Sequence, residues 1–139
     1  MTGGFRPSIP YEQMAAYWPD ATGDYAAFMN KLPKVVFSAT LPAAGWAGTR
    51  IARGDLATAA LKAEPGGEIM AHGGAAFVQA LSRHRLIDEY RLVILPVALG
   101  AGLPLFKDLP RPLRLDLAES RSFTDGTIIN VYQPTRPAG

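Results

Sequence analysis

Residues 68–85, EIMAHGGAAFVQALSRHR, decide the fold, because they carry the signals of a strand, a tight turn and a helix in direct succession. Glu68–Ala71 is short and mostly apolar, whereas Ala75 to about His84 places its large apolar side chains at helical spacing. The glycines between these segments permit a sharp change of direction. The stretch therefore predicts a strand–turn–helix unit of an α/β domain.

The sequence on either side continues the alternation of helices and strands. The predicted helices are Tyr11–Trp18, Asp24–Leu32 and Leu56–Ala63, and the predicted strands are Lys34–Ser38, Thr49–Arg53, Tyr90–Leu99, Leu113–Leu117 and Thr127–Tyr132. The last two strands are predicted to pair antiparallel, with a hairpin-type turn at Asp125-Gly126. This order predicts a mixed, mostly parallel sheet flanked by helices, with a C-terminal antiparallel hairpin, in one domain spanning residues 1–139.

The run Tyr90–Leu99 is apolar almost without interruption. A strand with one solvent face alternates apolar and polar residues, whereas a strand covered on both faces shows a continuous apolar run. The run therefore predicts a strand in the centre of the sheet, buried on both faces.

Composition limits the classes of function. A net charge of +2 without a block of basic residues argues against a nucleic-acid partner. Cysteine is absent, and His72 and His84 do not stand at metal-binding spacing, so no metal site is predicted. The chain carries neither a secretory signal pattern nor a long apolar segment. We therefore expect a soluble, cytoplasmic protein that does not enter a membrane.

The turn between the predicted strand and helix is the best candidate site. Backbone N–H groups and the positive end of the helix dipole favour an anion there. Gly73 and Gly74 have no side chains, and Ala75 and Ala76 place only methyl groups at the start of the predicted helix. We expect the amides to hold a cofactor phosphate, although a tight turn that needs a positive φ explains the glycines equally well. His72 either faces the cofactor or is held by local hydrogen bonds.

Residues 66–106, together with YEQMAAYWPD (11–20), MNKLPKVVFSATL (29–41) and RGDLATAALK (53–62), resemble the reductase domain of riboflavin biosynthesis. That family belongs to the dihydrofolate-reductase-like superfamily, and the resemblance to its small bacterial members covers roughly residues 11–132. It implies a dihydrofolate-reductase-like fold and hydride transfer from NADPH to a small heterocyclic or carbonyl substrate. By analogy that substrate is the phosphoribosylaminopyrimidine of the riboflavin pathway.

The resemblance also implies a cofactor site. Gly73, Gly74 and the helix start at Ala75 and Ala76 would bind the NADPH pyrophosphate near the nicotinamide. The cofactor carries the reactive hydride, and the protein positions it against the acceptor. We therefore assign no catalytic side chain.

Ser38 and Thr40 lie where the family contacts the adenosine phosphate side of the cofactor. Their hydroxyls suit that role, but ordinary turn chemistry at a strand end also explains them. The family often has Arg between the two hydroxyls, whereas this chain has Ala39, which weakens the expected grip on a 2′-phosphate. Arg53 either compensates for that loss or is a solvated charge.

Relatives begin with an apolar strand, a helix and a second strand that ends in a Gly-Arg-rich turn. Here Tyr11 follows only GGFRPSIP, so we expect the N-terminal third of the domain to be absent from this chain. In the family both of these strands lie inside the sheet, and their absence would expose ladder groups and apolar faces. An upstream start, a decayed copy and a partner chain that supplies the strands are all compatible with this pattern.

Two hypotheses of function follow. The first is an NADPH-dependent reductase domain acting on a small-molecule substrate, with a homodimer expected because relatives commonly dimerise and an exposed sheet face favours self-association. The second is a catalytically inactive, truncated domain that serves nucleotide binding, structure or dimerisation. The His72–Gly74 turn favours the first hypothesis, and the missing strand favours the second.

Overall fold

The computed structural model describes residues 8–54, 60–71 and 74–136. Its helices are α1 (Ser8–Tyr17), α2 (Asp24–Lys31) and α3 (Ala75–Arg83), with short 3-10 turns at Trp18–Asp20 and Leu61–Ala63. Its strands are β1 (Lys34–Phe37), β2 (Thr49–Ala52), β3 (Tyr90–Ile94), β4 (Leu115–Ser122) and β5 (Ile128–Pro134). The predicted α/β class is confirmed: a parallel strand pair, an antiparallel sheet and helices are all present.

The chain divides into two compact units, Met1–Val78 and Gln79–Gly139, which we call the N-terminal and the C-terminal unit. The division falls within α3, so that the first turn of this helix belongs to the N-terminal unit. The strands divide in the same way, with β1 and β2 in one sheet and β3, β5 and β4 in another.

The N-terminal unit is built around the parallel pair β1–β2, whose register runs from Lys34 opposite Thr49 to Phe37 opposite Ala52. Pro33 separates α2 from β1, because its ring cannot continue a helix, and this boundary was predicted within one residue. Among the described residues of this unit, the buried apolar ones are Ala26, Met29, Val36 and Trp46.

A polar network ties α1 and α2 to the loop that precedes β2. The indole N–H of Trp46 donates to Asn30 Oδ1 at 2.7 Å, and Asn30 Nδ2 donates to the carbonyl of Trp18 at 2.8 Å. The backbone N–H of Trp46 donates to the Tyr11 hydroxyl at 3.2 Å. Buried polar groups are tolerated only when they are paired, so this network lets Trp46 enter the core.

Lys34 closes the same network from the start of β1. Its Nζ donates to the carbonyls of Leu32 at 2.7 Å, Ala47 at 3.0 Å and Asn30 at 3.2 Å, and it lies 4.5 Å from the centre of the Trp46 ring. Partial burial lowers the pKa of the Lys34 ammonium. Lys34 therefore joins the end of α2 to the loop that precedes β2, at the amino end of β1.

The C-terminal unit is an antiparallel sheet in the order β3-β5-β4. The predicted hairpin between β4 and β5 is confirmed: Gly126 has φ +89°, and the Asp125 carboxylate accepts the Thr127 N–H at 2.9 Å. Ser82 of α3 and Tyr90 of β3 share a buried hydrogen bond of 2.9 Å between their hydroxyls. This bond holds the second half of α3 against one face of the sheet.

Two strand predictions were wrong. Tyr90–Leu99 forms a strand only to Ile94, and it is not buried on both faces, since Val93 is 60% and Leu99 81% exposed. Glu68–Ala71 is exposed and forms no strand, with Ile69 58% exposed. An apolar segment becomes a buried strand only when neighbouring strands pair with it and layers cover it. Within the described residues β3 pairs with β5 alone, and Glu68–Ala71 has no such partner.

The boundaries of other elements differ by a few residues from those that the sequence predicted. The first helix begins at Ser8 rather than Tyr11, and β4 extends to Ser122 rather than ending at Leu117. The predicted helix Leu56–Ala63 falls partly on residues 55–59, which lie outside the described residues, and its end is a 3-10 turn.

Candidate functional site

The carboxyl ends of β1 and β2 form the candidate site. Because the two strands are parallel, the segments that follow them emerge at the same edge of the sheet. Ser38 follows β1 and Arg53 follows β2. In open α/β sheets this edge is where ligands bind, since loops rather than ladder bonds fill it.

Ser38 builds the turn that follows β1. Its side chain is buried, with only 4% of the residue exposed. Its backbone N–H extends the ladder by donating to the Ala52 carbonyl at 3.2 Å. Its Oγ accepts the backbone N–H groups of Thr40 at 3.3 Å and Leu41 at 3.0 Å. The Ser38 hydroxyl is therefore used in turn chemistry, which is one of the two roles that the sequence left open, whereas Thr40 is exposed.

Arg53 fastens the same turn from the end of β2. Its Nη1 donates to the carbonyls of Ser38 at 3.2 Å and Ala39 at 3.1 Å, and its Nη2 donates to the carbonyl of Leu41 at 2.6 Å. Arg53 is thus a cross-link between the two strand ends rather than a merely solvated charge. The planar guanidinium suits this task because it presents several donors in a fixed geometry.

The start of α3 supplies the second element of the site. The Gly74 carbonyl accepts the N–H groups of Phe77 at 3.0 Å and Val78 at 3.2 Å, so Gly74 is the residue before the first helical turn. Gly74 and Ala76 are exposed and Ala75 is half-buried. The helix therefore begins where it was predicted, and its first two residues, Ala75 and Ala76, carry only methyl groups. His72 and Gly73 lie outside the described residues.

Two aromatic rings connect these elements. Phe37 is the last residue of β1 and Phe77 lies in the first turn of α3, and their ring centres are 5.6 Å apart. The structure thus brings the Ser38–Leu41 turn and the start of α3 to one edge of the N-terminal unit. The positive end of the helix dipole and the Arg53 cation make this edge favourable for an anion.

Among residues 8–54, 60–71 and 74–136, no group of three His, Asp or Glu side chains could hold a metal ion. No helix in the same part of the chain is long and apolar enough to cross a membrane. Among the described residues, the carboxyl groups whose pKa values are lowered lie in the C-terminal unit: Arg91 and Gln133 lower that of Glu89, and the Thr127 N–H lowers that of Asp125.

The described strands and helices form an α/β domain with a helix start at the carboxyl ends of parallel strands. The sequence profile of the RibD C-terminal domain matches residues 4–129. The chain therefore belongs to the RibD C-terminal domain family, and it is a reductase-like domain.

Two relatives come from Bacillus subtilis strain 168, and both are named as uncharacterized proteins. YyaP is 40% identical over 72 residues, which is 52% of this chain and 38% of YyaP. YwjB is 39% identical over 66 residues, which is 48% of this chain and 38% of YwjB. The chain therefore matches well under half the length of these curated relatives.

A crystal structure from Shewanella sp. PV-4, provisionally named as a riboflavin biosynthesis protein, has a similar fold. It superposes with a TM-score of 0.61 over 92% of this chain and 88% of that chain, at 18% identity. At this level of identity the similarity supports the fold and no finer property.

Proposed function

We propose that this chain is an NADPH-dependent reductase domain that transfers hydride to a small heterocyclic or carbonyl substrate. Family membership supports the reductase class. The observation that carries the proposal is the meeting of the α3 start with the Ser38–Leu41 turn at the carboxyl edge of β1 and β2. By analogy with its family, the domain would act on a riboflavin-type intermediate.

The residues present fit the phosphates of such a cofactor. The backbone N–H groups at the start of α3, next to Gly74 and two alanines, would hold the pyrophosphate, because methyl groups and hydrogens leave room for it. When bound, the nicotinamide supplies the hydride. The protein's own part is to bind and orient the cofactor, so the proposal names no catalytic side chain.

The turn after β1 would lie along the adenosine phosphate side. The exposed Thr40 hydroxyl is the better candidate for direct contact, since the Ser38 oxygen already accepts two backbone N–H groups. Arg53 already donates three hydrogen bonds to carbonyls of this turn, and the side chain of Ala39 carries no positive charge. We therefore propose NADPH as the cofactor with only a small preference over NADH.

The test is a fluorescence titration of the purified chain with NADPH, with NADH as the comparison. We expect saturable micromolar binding that Gly74→Arg abolishes, because a long cationic side chain would fill the space in front of the α3 amides. Gly66→Arg is the matched control, since a side chain added at Gly66 meets nothing within 4 Å. A well-folded chain that binds neither nucleotide would refute the proposal.

The alternative is a catalytically inactive domain that binds a nucleotide or serves a structural role. The engagement of both Ser38 and Arg53 in internal hydrogen bonds favours it, because these groups stabilise the turn without any ligand. Binding of NADPH without its oxidation by any carbonyl or heterocyclic acceptor would support this alternative. Turnover that Gly74→Arg removes would exclude it.

A further inference from the structure

The apolar side of α2 is wider than the part of it that is buried. At helical spacing Phe28 and Tyr25 lie on one flank of this side, and Met29 and Ala26 lie on the other. Met29 and Ala26 are buried, whereas Tyr25 is 60% and Phe28 55% exposed. Large rings that remain in water gain little from burial, so the packing of the N-terminal unit does not account for Tyr25 and Phe28.

Two further rings extend this flank into a continuous aromatic surface. The ring centres of Tyr17 and Trp18 are 4.9 Å apart, those of Trp18 and Tyr25 5.3 Å, and those of Tyr25 and Phe28 6.3 Å. Tyr17 is 63% exposed. We call these four residues the aromatic surface, and all of them belong to the N-terminal unit. A contiguous exposed apolar patch on a small domain marks an interaction surface.

The orientation of the rings leaves ring faces available to a partner. The Trp18 ring is inclined at 83° to that of Tyr17 and at 68° to that of Tyr25. In such contacts the edge of one ring meets the face of the other, so the rings do not cover each other as stacked rings would. A ring face carries partial negative charge and attracts cations, most often the guanidinium of arginine. The aromatic surface therefore suits flat and cationic groups.

The charges next to the aromatic surface favour the same kind of partner. Residues 8–32 contain three acidic residues and one basic residue, Lys31, in a chain whose net charge is +2. Asp20 ends the 3-10 turn and Asp24 begins α2, so both lie between the second and third rings along the chain. Neither carboxylate forms an ion pair with another residue that the structure describes. Negative charge at this place repels a phosphate and attracts a cation.

We propose that the aromatic surface binds a proline-rich segment of another protein that carries arginine. Such a segment adopts the extended polyproline II conformation, presents flat pyrrolidine rings and docks on surfaces lined by aromatic side chains. Its arginine would place the guanidinium over a ring face, close to Asp20 or Asp24. An open surface suits a peptide better than a small cation, because small-molecule sites enclose most of their ligand.

The size of the surface predicts a weak and transient contact. A short peptide on four side chains buries less than the roughly 1,200 Å² of a stable protein interface, so we expect a dissociation constant of roughly 0.1 mM. Added salt should weaken binding further, because the carboxylates are exposed. This inference does not depend on the proposed cofactor site, which the Ser38–Leu41 turn and the start of α3 form.

Titration of the whole chain with a capped peptide of three Pro-Pro-Arg repeats, followed by NMR, tests the proposal. The indole N–H signal of Trp18 should shift and saturate. The signal of Trp46 should not move, because Trp46 is buried and its indole N–H donates to Asn30. Trp18→Phe assigns the two signals. A peptide of Pro-Pro-Glu repeats should not bind, and one of Gly-Gly-Arg repeats should bind at least about fivefold more weakly.

Three substitutions in the unit distinguish ring contact from charge. Tyr25→Ala should raise the dissociation constant of the Pro-Pro-Arg peptide at least about fivefold. Asp24→Asn should raise it about threefold, whereas Asp24→Glu keeps the charge and should retain the affinity. Phe123→Ala is the matched control, because Phe123 is an exposed ring of the C-terminal unit, and it should change the constant less than about twofold. Circular dichroism verifies that the variants fold.

The outcomes that would overturn the proposal are equally specific. A folded chain that does not bind the Pro-Pro-Arg peptide would do so. Equal binding of the Pro-Pro-Glu or the Gly-Gly-Arg peptide would show that the surface does not recognise arginine together with proline. Equal losses of affinity in Tyr25→Ala and Phe123→Ala would show that the peptide binds elsewhere.

Discussion

The carboxyl edge of β1–β2 and the outer edge of β3 differ in the groups that they present: the first carries polar groups that bind their own backbone, and the second leads into exposed apolar side chains. At the first edge the chain satisfies its own backbone: Ser38 accepts two N–H groups and Arg53 binds three carbonyls of the adjoining turn. At the second edge the strand runs into an exposed apolar segment. An edge whose backbone groups are satisfied by its own side chains does not invite a further strand, whereas an edge strand with apolar side chains does.

The largest expected difference concerns apolar residues of the two units. Trp46→Ala should lower the free energy of unfolding by about 3 kcal/mol, because Trp46 is 6% exposed and its removal leaves a cavity and an unpaired Asn30 oxygen. Val97→Ala should cost less than about 0.5 kcal/mol at low protein concentration, since Val97 is exposed. Urea unfolding followed by circular dichroism measures both values. Similar losses of unfolding free energy in Trp46→Ala and Val97→Ala would contradict this expected difference.

A smaller difference is expected for two arginines of the N-terminal unit. Arg53→Gln should cost about 1 kcal/mol and increase hydrogen exchange at Thr40 and Leu41, because their turn loses its tether. Arg50→Gln is the control: its ion pair with Glu64, 2.7 Å long, is solvent-exposed and should contribute only about 0.3 kcal/mol. Unchanged exchange in the turn would show that Arg53 does not hold it.

The smallest effect is expected at the β4–β5 turn of the C-terminal unit. The Thr127 N–H lowers the pKa of Asp125 in the folded chain, so the ionised form stabilises this turn. A lowered folded pKa means that this stability is present above the unfolded pKa and is lost as the pH falls through the folded value. Thermal unfolding should therefore show a small loss below about pH 4 that is shallower in Asp125→Asn. If the thermal stability of both proteins falls identically as the pH is lowered, ionised Asp125 does not stabilise this turn.

Local signals predicted the elements that depend on a few neighbouring residues. Pro33 correctly separated α2 from β1, and Asp125-Gly126 correctly marked the turn between β4 and β5. The start of α3 after Gly74 was correct for the same reason. In each case a breaker or a turn residue restricts the backbone whatever the rest of the chain does.

The candidate site was predictable only in part. Glycine and alanine before a helix pointed to the α3 start, but the sequence could not show whether the Ser38 hydroxyl serves a ligand or the turn. The role of Arg53 was missed, because its three carbonyl partners lie 12 to 15 residues away along the chain. Only the parallel pairing of β1 with β2 brings them within hydrogen-bonding distance.

By itself, the sequence determined the α/β class, the family and the places where helices and turns begin, because these depend on periodicity, breakers and ordered motifs. The tertiary structure decided which apolar segments become paired strands. Glu68–Ala71 and residues 95–99 have the composition of strands, yet they are exposed and unpaired. A strand needs hydrogen-bonding partners on a neighbouring segment, and no local pattern records whether that segment is there.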